Sequence, residues 1–569
     1  MEAVIMKEST KVISMMMIGI FLCMLDTTVM NIALPAIQVG LATDLAHLSW
    51  ALNIYTVLFA SLTIPLGRVA DVWGRGRVYL IGLALFGLGS VISGLCGNVD
   101  VLIVGRAVQS LGAAVVFPAS MTIGIQSVPL NKRVGVIAEL GVMQGLAAAL
   151  GPTIGGAVTQ FLGWRGIFLM NVPLVLVAFT GCVAWLSWRH PVRGQAKLDL
   201  VGSALIMVTL LSLTLVLVKG NAWGWTSQLI IGLMALSGLA LVTFIWTEAH
   251  VDQPMVPLAL FKNRQFNGAS LATVLSGVFM VGLLVLMPSF FTKVQNQTEL
   301  LAAIMITPAS MMIFIFSPIS GFLLTKLGSR RVIFSGSFAM MTGYAVLSQM
   351  NPNHYWQFAI AAILIGAGYG TIIGPITVLA AGDFTGELLT ASQSVIGVFR
   401  QIGTSLAVAI FVSALSANLT VAKTQTLTDA HTTVAKLAIS NQAKRDTLQV
   451  IAHQVDQEQT AKPIETPITV AKEHRLIAAA ARQVLKSPAL QGAPASAKAK
   501  VQRQVARQVT VQVKQTNQRI VNAATAIKTR SKAAFTQAFM QPYQVALPFT
   551  LLLLLTTWCF EKRGRKVND

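Results

Sequence analysis

Charge is what this sequence has least of. Only 11% of its 569 residues are Asp, Glu, Lys or Arg, against roughly 25% in an average soluble domain. The hydrophobic share is 54% and the mean hydropathy is +0.68. A soluble fold of this length cannot enclose so much apolar surface. A bilayer can, because a spanning helix takes about 20 mostly apolar residues. Cysteine is scarce too: Cys23, Cys96, Cys182 and Cys559 all fall in apolar stretches and no CxxC pair occurs, which argues against a disulfide framework or a zinc site. The chain has no Gly-Lys pair, so it has no phosphate-binding GxxxxGK[ST] loop. It also shows no HExxH or GxSxG pattern and no metal-ligand cluster, and His431, His453 and His474 read as scattered surface residues. An enzyme is not expected, nor a cofactor beyond a proton gradient.

What is present is a series of long apolar runs. The first is too long for a signal-peptide core, contains Asp26 and lacks a small-residue cleavage site, so it reads as a spanning helix. Fourteen spans are expected, at roughly 12–34, 48–69, 78–97, 101–126, 134–160, 166–187, 199–218, 228–247, 267–291, 302–325, 332–350, 355–381, 388–416 and 541–560. Basic residues follow each early even-numbered span: Arg68, Arg75 and Arg77; Lys132 and Arg133; Arg189, Arg193 and Lys197; Lys262 and Arg264; Lys326, Arg330 and Arg331. Positive flanks face the cytoplasm, which places these loops, both termini and the tail Lys562, Arg563, Arg565, Lys566 inside. The formal charge of +21 is thereby explained by membrane flanks and one insert, without nucleic acid.

The insert is residues 417–540, with 18 Lys or Arg against 6 Asp or Glu. Long segments translocate regardless of charge, so an extracytoplasmic position is compatible with the orientation. Its only glycine is Gly492, and it has no Trp, Tyr or Cys. Apolar residues recur at Val501, Val505, Val509, Val513, Ile520, Ala524 and Ile527, and earlier at Leu427, Val434, Ala438, Leu448 and Val455. Two long antiparallel helical arms, with a shorter helix near 469–487, would bury both stripes. The positive balance suits anionic lipid headgroups or cell-wall polymers, or a lid that tunes the outer vestibule; a solvated spacer without a partner is the plainer alternative.

An internal repeat is visible. Gly67-Arg-Val-Ala-Asp71-Val-Trp-Gly74-Arg75-Gly-Arg77 is echoed 254 residues later by Gly321-Phe-Leu-Leu-Thr-Lys-Leu-Gly328-Ser-Arg330-Arg331. Pro118 and Pro375, each in glycine-rich company, stand 257 apart. Two six-helix bundles with two helices spliced between them account for this spacing. The expected parts are 1–190 as the first bundle, 191–250 as the two added helices, 251–416 as five helices of the second bundle, 417–540 as the insert, and 541–569 as the last span and basic tail.

Four patterns occur in order: Leu25-Asp26-Thr-Thr-Val-Met-Asn31-Ile-Ala-Leu-Pro35; the Gly67–Arg77 loop; Arg106-Ala-Val-Gln109-Ser-Leu-Gly112; and Gly151-Pro152-Thr-Ile-Gly155-Gly156 followed by Trp164-Arg165-Gly-Ile-Phe168-Leu-Met-Asn171-Val-Pro173. Together they resemble the fourteen-helix drug:proton antiporters of the major facilitator superfamily, over 12–416 and 541–560. The resemblance implies an all-α membrane fold, export by alternating access, a gate at Gly67, Asp71, Gly74, Arg75 and Arg77, and an antiporter motif at Gly151, Pro152, Gly155 and Gly156. Gly76 replaces a usual basic residue and Thr325 stands opposite Asp71. Later helices lack the extra acids of relatives that export dications, so dicationic substrates are not expected.

Residue chemistry gives each position two readings. Asp26 near a helix centre costs roughly 2.5–3.5 kcal/mol to insert, so it is either a proton carrier or a helix-packing acceptor. Arg106 and Arg400 need partners; a carboxylate would make them part of proton coupling, backbone carbonyls would make them structural. Glu139 is a second proton site, a gate partner, or a side chain reaching the cytoplasmic interface. Asp71 and Arg75 form a conformational lock or a solvated turn. The Gly151–Gly156 segment serves export or is a plain kink. Asn31, Gln109, Met280 and Met305 are candidates for a substrate cavity. Phe279, Met287, Phe290, Met311 and Met312 belong to the same apolar set, which is otherwise core or lipid-facing. The expected partners are small hydrophobic substrates, protons and membrane lipids. The leading function is proton-driven export of hydrophobic drug-like compounds. The alternatives are export of a lipid or lipid-linked envelope component, export of a small polar metabolite, and a non-transporting receptor or scaffold.

Overall fold

The computed structural model describes residues 2–43, 45–129, 132–186, 199–252, 254–352, 354–382, 384, 386–437, 439, 441–456, 470–487 and 494–561. Among the described residues there are helices and no strand. Arg189, Arg193, Lys197 and the tail lysines and arginines lie outside the described residues, as do the side chains of Asn31, Ala438 and Val455.

The first helices are α1 (Glu2–Gly40), α2 (Leu45–Trp73), α3 (Arg75–Leu95), α4 (Val99–Gln126), α5 (Arg133–Leu162), the single turn α6 (Gly166–Leu169) and α7 (Asn171–Trp185). Their mutual core includes Leu22, Tyr55, Phe59, Tyr79, Phe86 and Phe168. Each α-helix satisfies its own backbone inside an apolar layer, which is why apolar length alone locates the spans. The helix pair α8 (Leu200–Trp223) and α9 (Gln228–His250) follows, with α8 against α2. Asp199 and Ser227 cap their starts, accepting from Gly202 N and Ile230 N.

The second half holds α10 (Arg264–Ser289), α11 (Glu299–Leu327), α12 (Ser329–Gln349), α13 (Tyr355–Ala381) and α14 (Gly386–Ala435), then α15 (Asn441–Asp456), α16 (Val470–Leu485), α17 (Ala495–Ala546) and α18 (Thr550–Thr556). Every expected span coincides with helix. Twelve helices among the described residues are long and apolar enough to cross a membrane, or thirteen if the bent α5 counts as one span. The fourteenth expected position is α12, where Arg330, Arg331 and several serines dilute the apolar surface. The 42° bend of α5 falls between Ala147 and Leu150. Pro152 causes it, because the ring lacks an N–H and crowds the carbonyl four residues back.

The chain divides into two compact units. One takes residues 1–288, 298–414 and 542–569; the other takes 289–297 and 415–541. The described residues of the second unit are almost all helical, as its composition foretold. Val434, Val513, Ile520, Ala524 and Ile527 of the expected stripes are buried, while Leu427, Leu448, Val501, Val505 and Val509 are half-buried.

The repeat governs packing in the first unit. A Cβ on Gly89 of α3 would stand 2.4 Å from Gln109 N and 2.6 Å from Gly105 O of α4. On α12, 254 residues on, a Cβ at Gly343 would meet Ile365 N at 2.9 Å and Ala361 O at 3.1 Å of α13. Gly82 with Gly112 and Gly336 with Gly368 repeat the same close approach. Backbones touch this closely only where side chains are missing.

Candidate functional site

The only described carboxylate deep within the α1–α7 bundle is Asp26, 5% exposed on α1. Its Oδ2 accepts a hydrogen bond from Arg106 Nη1 of α4, and its Oδ1 accepts from Gln109 Nε2 at 2.8 Å and from Asn171 Nδ2 of α7 at 3.4 Å. Arg106 Nη1 also donates to Gln109 Oε1 at 2.8 Å, and Gln109 Nε2 to Ser90 Oγ of α3 at 2.9 Å. Arg106 and Gln109 share a face because they are three residues apart on one helix.

The guanidinium is held from several sides. Arg106 Nε donates to Ala51 O at 3.2 Å, and Cζ lies 4.3 Å from the Tyr55 ring centre and 5.8 Å from that of Phe168. A buried pair of this kind offsets the loss of hydration only when nearly every donor and acceptor is used. One acceptor here is not used: Asn171 Oδ1 is enclosed and has no donor.

The Gly67–Arg77 motif is compact. Gly74 breaks the chain between α2 and α3 at φ 97°, a conformation that glycine adopts freely. Arg75 Nε donates to Asp71 Oδ1 at 2.7 Å, and Arg75 Nη1 to Gln126 Oε1 at 2.5 Å. Asp71 and Arg68 are buried. A cavity of about 20 Å³ lies beside them, lined by Gly67, Arg68, Asp71, Met255 and Ser394, enough for a water molecule.

The Gly151–Gly156 segment seats α5 on α1 directly beside Asp26. Cβ atoms on Gly151 and Gly155 would meet Thr28 Oγ1 at 1.8 Å and Val29 O at 3.1 Å. Gly156 faces Ala303 of α11, and Thr153 Oγ1 lies 3.1 Å from Thr307 Oγ1.

Other candidates fall elsewhere. Arg400 joins no carboxylate among the described residues: its Nη1 donates to Gln144 Oε1, and its guanidinium lies 5.7 Å from the Phe117 ring. Glu139 is exposed and is not brought to Asp26, because it lies on the outer face near the start of α5. Gln109 belongs to the carboxylate network rather than to a separate cavity. Met280 is buried and Met305 half-buried; beside Met280, Phe279 packs against Tyr344 at 5.2 Å between ring centres. Phe279, Met280 and Met287 are thus core, and Met311 is exposed.

Sequence reasoning missed several residues. Ser90, Tyr55 and Asn171 complete the Asp26 network, and Asn171 was visible only as part of a motif. Lys219, 4% exposed, donates to Ser49 Oγ at 2.9 Å and lies 4.2 Å from the Trp50 ring. Glu248, 3% exposed, accepts from Met255 N at 3.2 Å. The expected spans end at 218 and 247, one residue short of each charge.

The chain is 31% identical over 404 residues to the multidrug resistance protein Stp of Mycobacterium tuberculosis, covering 70% of this chain and 74% of that one. It is 28% identical over 412 residues to the multidrug transporter protein MdtP of Bacillus subtilis, covering 72% and 76%. The crystal structure of the human organic anion transporter MFSD10 aligns with a TM-score of 0.50 at 14% identity, covering 72% of this chain and 93% of that one, a likeness of fold alone. The family match runs over residues 16–408, from the helix that carries Asp26 to the helix that carries Arg400, and the chain belongs to the Major Facilitator Superfamily of membrane transporters.

Proposed function

We propose that the chain is a proton-coupled exporter of hydrophobic, drug-like or toxic compounds, working by alternating access. The observation that carries this reading is the enclosed Asp26–Arg106–Gln109–Asn171 network. A proton arriving at Asp26 removes the negative charge that holds Arg106 Nη1. It also creates an O–H donor, and Asn171 Oδ1 is an enclosed acceptor that lacks one. Protonation therefore favours a different arrangement of α1, α4 and α7, and deprotonation restores the first. Gly151 and Gly155 lie against Thr28 and Val29, so a shift of α1 is passed to α5 and, through Thr153 and Thr307, to α11.

Drug-like cargo is supported by the names of Stp and MdtP, which speak of multidrug resistance and multidrug transport. The basic loops support cytoplasmic termini with residues 417–540 outside. Efflux of ethidium from proteoliposomes under an imposed proton gradient tests the reading. Wild-type protein is expected to move dye uphill, and a protonophore to stop it. Dye movement indifferent to the protonophore would refute coupling; no movement of any substrate in a broad panel would refute export.

A further inference from the structure

Arg400 and Gln144 stand 256 residues apart, within the spacing of the internal repeat. They are counterparts, one in each half, and they hydrogen-bond to each other. Their neighbours confirm the symmetry: Gly141 faces Gly374, and its counterpart Gly397 faces Phe117. A contact between equivalent residues of two repeats can only lie at the pseudo-twofold axis that relates them. In transporters built from repeats, cargo binds at the repeat interface near the bilayer midplane.

At that place the charge is not balanced. Arg106 has Asp26, but Arg400 has a neutral amide and an aromatic face, and its Nε is enclosed without an acceptor. The apolar counterparts of the polar network in the second half offer nothing either: Ile365 stands where Gln109 does, and Ala362 where Arg106 does. A guanidinium is a permanently charged fork suited to a carboxylate, sulfonate or phosphate. Cations within a membrane protein normally carry a partner or mark the path of one.

We propose that Arg400 is the binding point for an anionic group on the carried molecule, so that the preferred cargo is an amphiphile with an apolar body and one acidic head. The proposal rests on the transporter reading but is tested by equilibrium binding, which needs neither gradient nor turnover. Wild-type full-length protein in phosphatidylcholine nanodiscs is titrated with 8-anilino-1-naphthalenesulfonate and with N-phenyl-1-naphthylamine, which share rings and differ by the sulfonate. The readout is the ratio of the two affinities. A charge-assisted contact is expected to favour the sulfonate by about tenfold.

Arg400→Gln is expected to bring the ratio to about one and Arg400→Lys to keep most of it. Gln144→Glu supplies an internal carboxylate and is expected to abolish the preference while keeping the guanidinium paired, which guards against a misfolded Arg400→Gln. A wild-type ratio near one, or a full preference surviving in Arg400→Gln or Gln144→Glu, overturns the proposal. Given the expected ratios, displacement of the sulfonate probe by added phosphatidylglycerol assigns a lipid headgroup as the occupant, and indifference to it assigns a free amphiphile. Absence of gradient-driven transport for every compound of a broad panel, with the ratios intact, would sink the export reading and leave this one standing.

Discussion

Gly89 rests against the backbone nitrogen of Gln109, so close that a Cβ would stand 2.4 Å from it. The glycine is what lets α4 present Gln109 and Arg106 to Asp26. Gly89→Ala must push backbone, which cannot rotate away as a side-chain tip can. Overpacking of this kind costs about 1–3 kcal/mol, so a lower Tm in detergent and loss of export are expected together. Gly343→Ala makes a similar intrusion in the second half, where Ala362 and Ile365 stand at the positions of Arg106 and Gln109. It is expected to lower Tm while leaving the proton dependence of whatever transport remains. Equal loss of coupling in both variants would refute the link between Gly89 and the network.

Asp26→Asn keeps shape and polarity but cannot titrate. Normal insertion and loss of gradient-driven export are expected. Arg106 is then a buried cation without its anion, a change that costs about 3–5 kcal/mol in comparable pairs. Adding Arg106→Gln is expected to recover stability and not transport. Thermal unfolding of both variants, beside uphill dye transport, checks this; wild-type uphill transport in Asp26→Asn would end the assignment.

Asp71→Asn weakens the bond from Arg75 Nε without touching the Asp26 network. This bond is expected to act on the conformational cycle rather than on the choice of cargo. Export of chemically unlike dyes is expected to slow by similar factors. Selective loss of one dye, with the others at wild-type rates, would show that Asp71 reads cargo.

Ile520 on α17 is 1% exposed within the second unit. Ile520→Asp buries an unpaired carboxylate in a helical stripe. Limited proteolysis of the intact protein is expected to cleave within 415–541 several times faster than in wild type. An unchanged cleavage rate would mean that Ile520 does not hold the arms together.

Much of the architecture was settled by the sequence alone. Apolar length fixed where the helices lie, because a backbone in lipid has few choices. The scarcity of charge made Asp26, Arg106 and Arg400 conspicuous, and the 254-residue echo of the Gly67 loop exposed the two halves. The helicity of the described residues of 417–540 followed from a single glycine, Gly492, and a periodic apolar stripe. Pairing was another matter. Asp26 meets Arg106 across 80 residues and Asn171 across 145, and nothing in the local pattern names those partners. Glu139 and Glu248 look alike as acids near span ends, yet one is exposed and the other enclosed. Only the tertiary structure distinguished them, because the cost of a charge depends on which neighbouring helix covers it, and that is decided by close approaches such as Gly89 on Gln109 and by the meeting of Gln144 with Arg400 between the repeats.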